Sequence, residues 1–179
     1  MIFAEFCGTE FAVGIASGTC ALHLILRGLG LGEGDEVITV PNSFVSSASS
    51  IALNGARPVF VDIGSDLNIN PDLIEASVTK RTRAIMPVHF TGRPVRMNEV
   101  LDVARKHDLF VLEDAAQAVG SSLDGRRTGS WGDAACFSMH PLKNLHAFGD
   151  GGMITTSDKN IRDRMMKARN HGLSGRDQC

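Results

Sequence analysis

Three stretches of the sequence carry side chains able to do chemistry, and each sits where an apolar run gives out. Lys143 lies in the loop Met139-His140-Pro141-Leu142-Lys143, after the apolar run Ala134 to Ser138 and ahead of Gly149-Asp150-Gly151-Gly152. A loop lysine is ordinarily solvated. One held in a desolvated pocket has a lowered pKa and can attack a carbonyl to make a Schiff base. Glu113-Asp114 ends the run Leu109-Phe110-Val111-Leu112, and an acid at the end of a buried strand is costly unless a cation or several donors satisfy it. One of the two acids can face a ligand while the other faces the protein. Asp114 alone reads as a partner for a protonated ring nitrogen, as a metal ligand or as a helix N-cap. Ser17-Gly18-Thr19 precedes a helical pattern. There the unpaired N–H groups and partial positive charge of a helix start suit an anion, while the tripeptide taken alone favours a plain N-cap. Neither a Gly-Lys-Ser/Thr phosphate loop nor a Gly-x-Gly-x-x-Gly turn is formed.

Taken together, a lysine nucleophile, a carboxylate and an anion site are the protein groups that pyridoxal phosphate needs. The set is more specific than any member. Positioning it requires strands that end beside one another, and the sequence supplies alternating strand and helix patterns. Apolar runs at 11–16, 37–40, 59–63, 84–88, 109–113, 134–138 and 153–156 read as strands. Helical spacing at 21–29, 44–53, 98–107 and 158–170 lies between them, and Asn70-Pro71 supplies an N-cap with proline at the first helical position. Runs that are apolar throughout suit strands covered on both faces, so an α/β domain with a mostly parallel sheet and flanking helices is expected. Such sheets bind ligands at the carboxyl ends of their strands.

Composition narrows the function further. The 179 residues carry 18 basic and 20 acidic side chains, a net charge of -2, and are 43% hydrophobic. That describes one globular domain, at most with the start of a second. No run approaches the ~18 apolar residues of a membrane helix, and the near-neutral balance offers no nucleic-acid footprint. Residues 1–6 lack a basic segment leading into an apolar one, so a cytoplasmic protein handling small molecules is expected. Cys7, Cys20, Cys136 and Cys179 form no C-x-x-C pair. Cys20 and Cys136, in apolar surroundings, are expected to be buried thiols, with no disulfide framework and no metal site. The glycines of 28–34 and 149–152 suggest tight turns near a ligand. His89 and His140, near strand ends, are expected to be structural.

The sequence resembles the DegT/StrS type of pyridoxal-phosphate sugar aminotransferases. The matching residues are Ala16-Ser17-Gly18-Thr19, Gly34-Asp35-Glu36-Val37-Ile38, Arg57-Pro58-Val59-Phe60-Val61-Asp62, Glu113-Asp114-Ala115-Ala116-Gln117 and Phe137 through Gly152, in the family's order. The resemblance implies an aspartate-aminotransferase-type (fold type I) large domain and an obligate homodimer in the full-length form. It implies that Lys143 forms the Schiff base and Asp114 pairs with the pyridinium nitrogen. By the same resemblance Gln117 contacts the ring hydroxyl, and Gly18, Thr19 and Ser138 hold the phosphate. Phe44, a helix-start core residue by pattern alone, stacks on the ring.

The reaction so implied is ping-pong transfer of an amino group from an amino acid, glutamate or glutamine, to a nucleotide-linked keto sugar. The resemblance also implies that residues 1–179 are an incomplete large domain, without an N-terminal segment and the smaller C-terminal domain. Weak cofactor retention and little turnover are then expected. Two other readings stand beside this one. A sugar dehydratase of the same family has histidine where Lys143 stands, and a non-catalytic remnant would serve as a binding or dimerisation module.

Overall fold

The computed structural model describes residues 2–173. The elements in chain order are α1 (Ile2–Cys7), β1 (Phe11–Ile15), α2 (Gly18–Gly28), β2 (Glu36–Thr39), α3 (Ser46–Leu53), β3 (Arg57–Phe60), α4 (Pro71–Ile74), β4 (Thr82–Ile85), α5 (Met97–His107), β5 (Phe110–Asp114), β6 (Ser122–Leu123), β7 (Arg126–Arg127), β8 (Ala134–Ser138), β9 (Gly152–Thr156) and α6 (Lys159–Ala168). Seven strands form one sheet in the order β1-β9-β8-β5-β4-β2-β3, and β6 with β7 makes a separate hairpin. From β8 to β3 the pairing is parallel. Strand β9 runs antiparallel to both β8 and β1. The expected mostly parallel α/β sheet is therefore what the chain forms.

Alternation along the strands explains the apolar runs. Val37, Ala84, Leu112 and Cys136 face a layer made by Leu22, Ile25 and Leu26 of α2 with Ile161 and Met165 of α6. Ile38, Ile85 and Val111 face the opposite layer, with Ile74 of α4 and Met97, Val100 and Ala104 of α5. Each central strand must be apolar on both sides because both sides are covered. Helix α2 shows the complementary pattern, since Gly18, Ala21, Leu22, Ile25 and Leu26 are its buried residues. Cys20 falls on the opposite side of α2 and is exposed, which corrects the expectation of a buried thiol. Cys136 is buried as expected, and Cys179 lies outside the described residues.

Several boundaries shift for physical reasons. The strand read at 59–63 is β3 at Arg57–Phe60, because β2, its partner among the described residues, ends at Thr39. The strand read at 84–88 is β4 at Thr82–Ile85; Pro87, which has no N–H to give, interrupts it before Val88 forms an isolated bridge to Asp114. Asn70 does cap α4, its side-chain oxygen accepting the Asp72 N–H at 3.2 Å with Pro71 at the first helical position. Helix α1 and the β6–β7 hairpin are elements that the sequence reading did not include.

Candidate active site

Strands β5 and β8 pair in parallel with Asp114 level with Cys136, so both chains leave the sheet at nearly the same height. The first turn of α2 is brought over that edge from the other side. Cys136 Sγ donates to the Gly18 carbonyl at 3.2 Å, and burial pushes this thiol well above its usual pKa, so it serves as a donor. Gly18 is needed for the approach: a Cβ there would lie 2.7 Å from Ser138 Cβ. Gly152, the first residue of β9, is under the same constraint, because its Cβ would meet the Ser17 carbonyl carbon and oxygen at 2.6 Å. Ser17 is the N-cap of α2, its Oγ accepting the Cys20 N–H at 3.1 Å. The cap and cradle readings of Ser17-Gly18-Thr19 therefore coexist: Ser17 caps α2, and all three residues line the cavity.

Between these elements lies a cavity of about 370 Å³, within the usual range of ~300–1,000 Å³ for small-molecule sites. Gly18, Thr19, Phe44, Asp114, Gln117, Ser138 and Lys143 all line it. Phe44 is exposed at the rim, because α3 begins only at Ser46; the core reading of Phe44 is thereby corrected. Lys143 is half-buried, short of full desolvation. Its loop is fixed by the Lys143 N–H donating to the His140 carbonyl at 2.8 Å. Asn144 Nδ2 donates to the Val119 carbonyl at 2.8 Å and ties the loop to the segment that carries Gln117.

The two adjacent acids separate. Glu113 turns into the protein, where Oε1 accepts the Trp131 and Gly132 N–H groups at 2.7 and 2.9 Å. Its Oε2 accepts the Gly129 N–H at 2.8 Å and His89 Nε2–H at 2.9 Å. His89 Nδ1 accepts the Val95 N–H at 3.1 Å, which leaves the ring proton on Nε2, and the expected structural role fits this buried histidine. Asp114 turns to the cavity. Its Oδ2 accepts from Ser47 Oγ at 2.8 Å and Oδ1 from the Ala116 N–H at 3.2 Å. No helix follows Asp114, so the N-cap reading fails. Burial pushes the Asp114 carboxyl above the usual carboxylate range, against the opposing pull of Ser47, Ala116, His89 and Lys143. A cation placed in the cavity would relieve that cost. His140, expected to be structural, lines the cavity with Nδ1 accepting the Leu142 N–H at 3.2 Å.

Three residues at the site escaped sequence reasoning. Ser43, Ser46 and Ser47 stand around the start of α3, Ser43 and Ser46 in the cavity lining and Ser47 beneath it. The signal was their position just past the carboxyl end of β2, where a ligand is expected in such a sheet.

The fold and the site define a class: an α/β domain with a lysine, a buried acid and a helix start converging on one small-molecule cavity. The DegT/DnrJ/EryC1/StrS aminotransferase family model matches residues 1–179, and the chain belongs to that family. It is 50% identical over 173 residues to the spore coat polysaccharide biosynthesis protein SpsC of Bacillus subtilis, a match that covers 96% of this chain and 44% of that protein. It is 44% identical over 171 residues to the dTDP-3-amino-3,4,6-trideoxy-alpha-D-glucose transaminase of Streptomyces venezuelae, covering 95% of this chain and 45% of the relative. The crystal structure of S. venezuelae DesV in complex with a ketimine intermediate superposes with a TM-score of 0.95 at 43% identity, over 98% of this chain and 48% of that one. The chain thus spans less than half the length of the curated relatives it matches. Among the described residues no helix is long and apolar enough to cross a membrane.

Proposed function

We propose that this chain provides the cofactor-binding part of a pyridoxal-phosphate-dependent aminotransferase. In this reading it moves an amino group from glutamate or glutamine to a nucleotide-linked keto sugar in the cytoplasm, and a second copy covers the exposed apolar rim. One observation carries the reading: Lys143, Asp114, Gly18, Thr19 and Ser138 line a single cavity. The residues present suit the group. Asp114 is a buried carboxylate whose two hydrogen bonds come from neutral donors, which leaves its charge to be met by a cation. At the other end of the cavity, α2 presents its first turn beside the Thr19 and Ser138 hydroxyls, where an anion is favoured.

When bound, the cofactor supplies an aldehyde that condenses with amines and a ring that takes up the electron pair left at the substrate carbon. Each residue then has a separate task. Gly18, Thr19 and Ser138 would hold the phosphate, and Gln117 the ring hydroxyl. Phe44, at the cavity rim, would cover the ring and keep water from it. Asp114 would retain the proton on the ring nitrogen through a charge-assisted bond worth about 1.5–3 kcal/mol. Lys143 would hold the aldehyde through Nζ, and the same amine, when free, would be the base that carries a proton at the substrate carbon. Lysine rather than histidine at 143 favours amino transfer over dehydration.

Titration of the protein with pyridoxal phosphate tests this reading. A visible absorption band is expected that Lys143→Ala abolishes. With glutamate and a nucleotide-linked keto sugar added, mass spectrometry should detect an amino sugar made by the unaltered chain and not by Lys143→Ala. Absence of the band at saturating cofactor overturns the reading in favour of a binding module.

A further inference from the structure

Consecutive serines at the start of α3 reach opposite ends of the cavity. Ser46 Oγ lies 2.7 Å from Thr19 Oγ1, and Ser47 Oγ lies 2.8 Å from Asp114 Oδ2. Ser47 is only 1% exposed. Its oxygen also lies 2.7 Å from Ser43 Oγ. A hydroxyl has one hydrogen to give. With the Ser47 hydrogen on an ionised Asp114, the Ser43 hydroxyl must donate to Ser47. The result is a polarised chain, Ser43 to Ser47 to Asp114, in which each bond strengthens the next. A proton on Oδ2 of Asp114 would instead reverse the chain.

We infer that Ser47 is a positioning residue, holding the Asp114 carboxylate in place for a cationic ring nitrogen, with Ser43 fixing the direction of its hydroxyl. The inference rests on the cofactor reading of the cavity given above. The surroundings of Asp114 leave this task to Ser47. His89, in the segment after β4, is committed to Glu113 and Val95. Cys136 on β8 is committed to the Gly18 carbonyl. Lys143 approaches from the loop after β8 and acts on Asp114 through its charge. Among the described residues, Ser47 is the side chain that donates to the carboxylate, and the Ala116 N–H is the backbone donor. Oδ2 keeps a second lone pair free, so it can accept from Ser47 and from a ligand together.

The test compares Ser47→Ala, Ser47→Thr and Ser50→Ala. Ser50 sits on the same helix, fully buried, and its Oγ donates to the Ser47 carbonyl at 3.2 Å. It reports on the integrity of α3 without joining the chain to Asp114. Ser47→Ala is expected to weaken pyridoxal phosphate binding about tenfold, as loss of a hydrogen bond to a charged group does. Ser47→Thr restores most of that affinity, and Ser50→Ala leaves it unchanged. Without cofactor, the melting temperature gap between the unaltered chain and Ser47→Ala narrows as the pH falls and Asp114 takes up its proton. Equal cofactor affinity for Ser47→Ala and the unaltered chain overturns the inference, as does an equal loss in Ser50→Ala or a gap constant with pH. An unaltered chain that binds no cofactor instead brings down the cofactor reading itself, and this inference with it.

Discussion

Adjacent residues on a strand point to opposite faces, and at the end of β5 that alternation sends Glu113 into four donors and Asp114 toward the cavity. Burial raises the folded pKa of Asp114 above the unfolded value. Its contribution to stability is therefore present at low pH and lost as the pH rises through the folded value. Asp114→Asn cannot ionise, and its amide oxygen can still accept from Ser47. Without cofactor, this variant is expected to melt no lower than the unaltered chain above neutral pH, with the difference closing toward acid in a pH series of thermal melts. With cofactor present, Asp114→Asn is expected to lower amino transfer on the order of 10²–10³-fold, as for loss of one preorganised electrostatic partner. Asp114 and Lys143 were legible in the sequence because a charged group at the end of an apolar run is costly and needs a reason. Ser47 was not. A serine near a helix start reads as a cap, and its partner lies 67 positions away.

Elements meet closely where the site forms, and glycine makes that possible. The first turn of α2 rests on Ser138 at the end of β8 and on Gly152 at the start of β9. Gly152→Ala places a methyl group against the Ser17 backbone, which has no side chain to swing aside. The expected loss is about 1–3 kcal/mol or more, as for overpacked cores, measured by urea unfolding, together with weakened phosphate binding. In the sequence Gly152 reads as the last of a turn cluster; only the pairing of β9 between β1 and β8 shows that it is a strand residue under a helix start. Gly18 was visible as a point of close approach because it opens a helix after an apolar strand. The identity of what approaches it, Ser138, depends on strand order, which no local pattern contains.

At the scale of the whole molecule, the α/β class was written in the apolar runs, since both faces of each central strand are covered. The direction of β9 was not, because a strand's composition is the same whichever way it runs. Apolar side chains also remain uncovered beside the cavity: Phe44, Val45, Leu142 and Phe148 are 72%, 66%, 85% and 115% exposed. A group of this kind at a site rim is characteristic of an interaction surface. The proposed second copy would cover it. Sedimentation velocity is expected to show a concentration-dependent dimer, which Phe148→Asp and Val45→Asp, both outside the cavity lining, shift toward monomer. A chain that stays monomeric at every concentration would rule this partner out.

The central claim is that one particular amine reacts. Incubation with pyridoxal phosphate, reduction with borohydride and peptide mapping by mass spectrometry measure this directly. The expected result is a phosphopyridoxyl label on Lys143 at near one per chain. Label scattered over Lys80, Lys106, Lys159 and Lys167, with Lys143 unmodified, would contradict it.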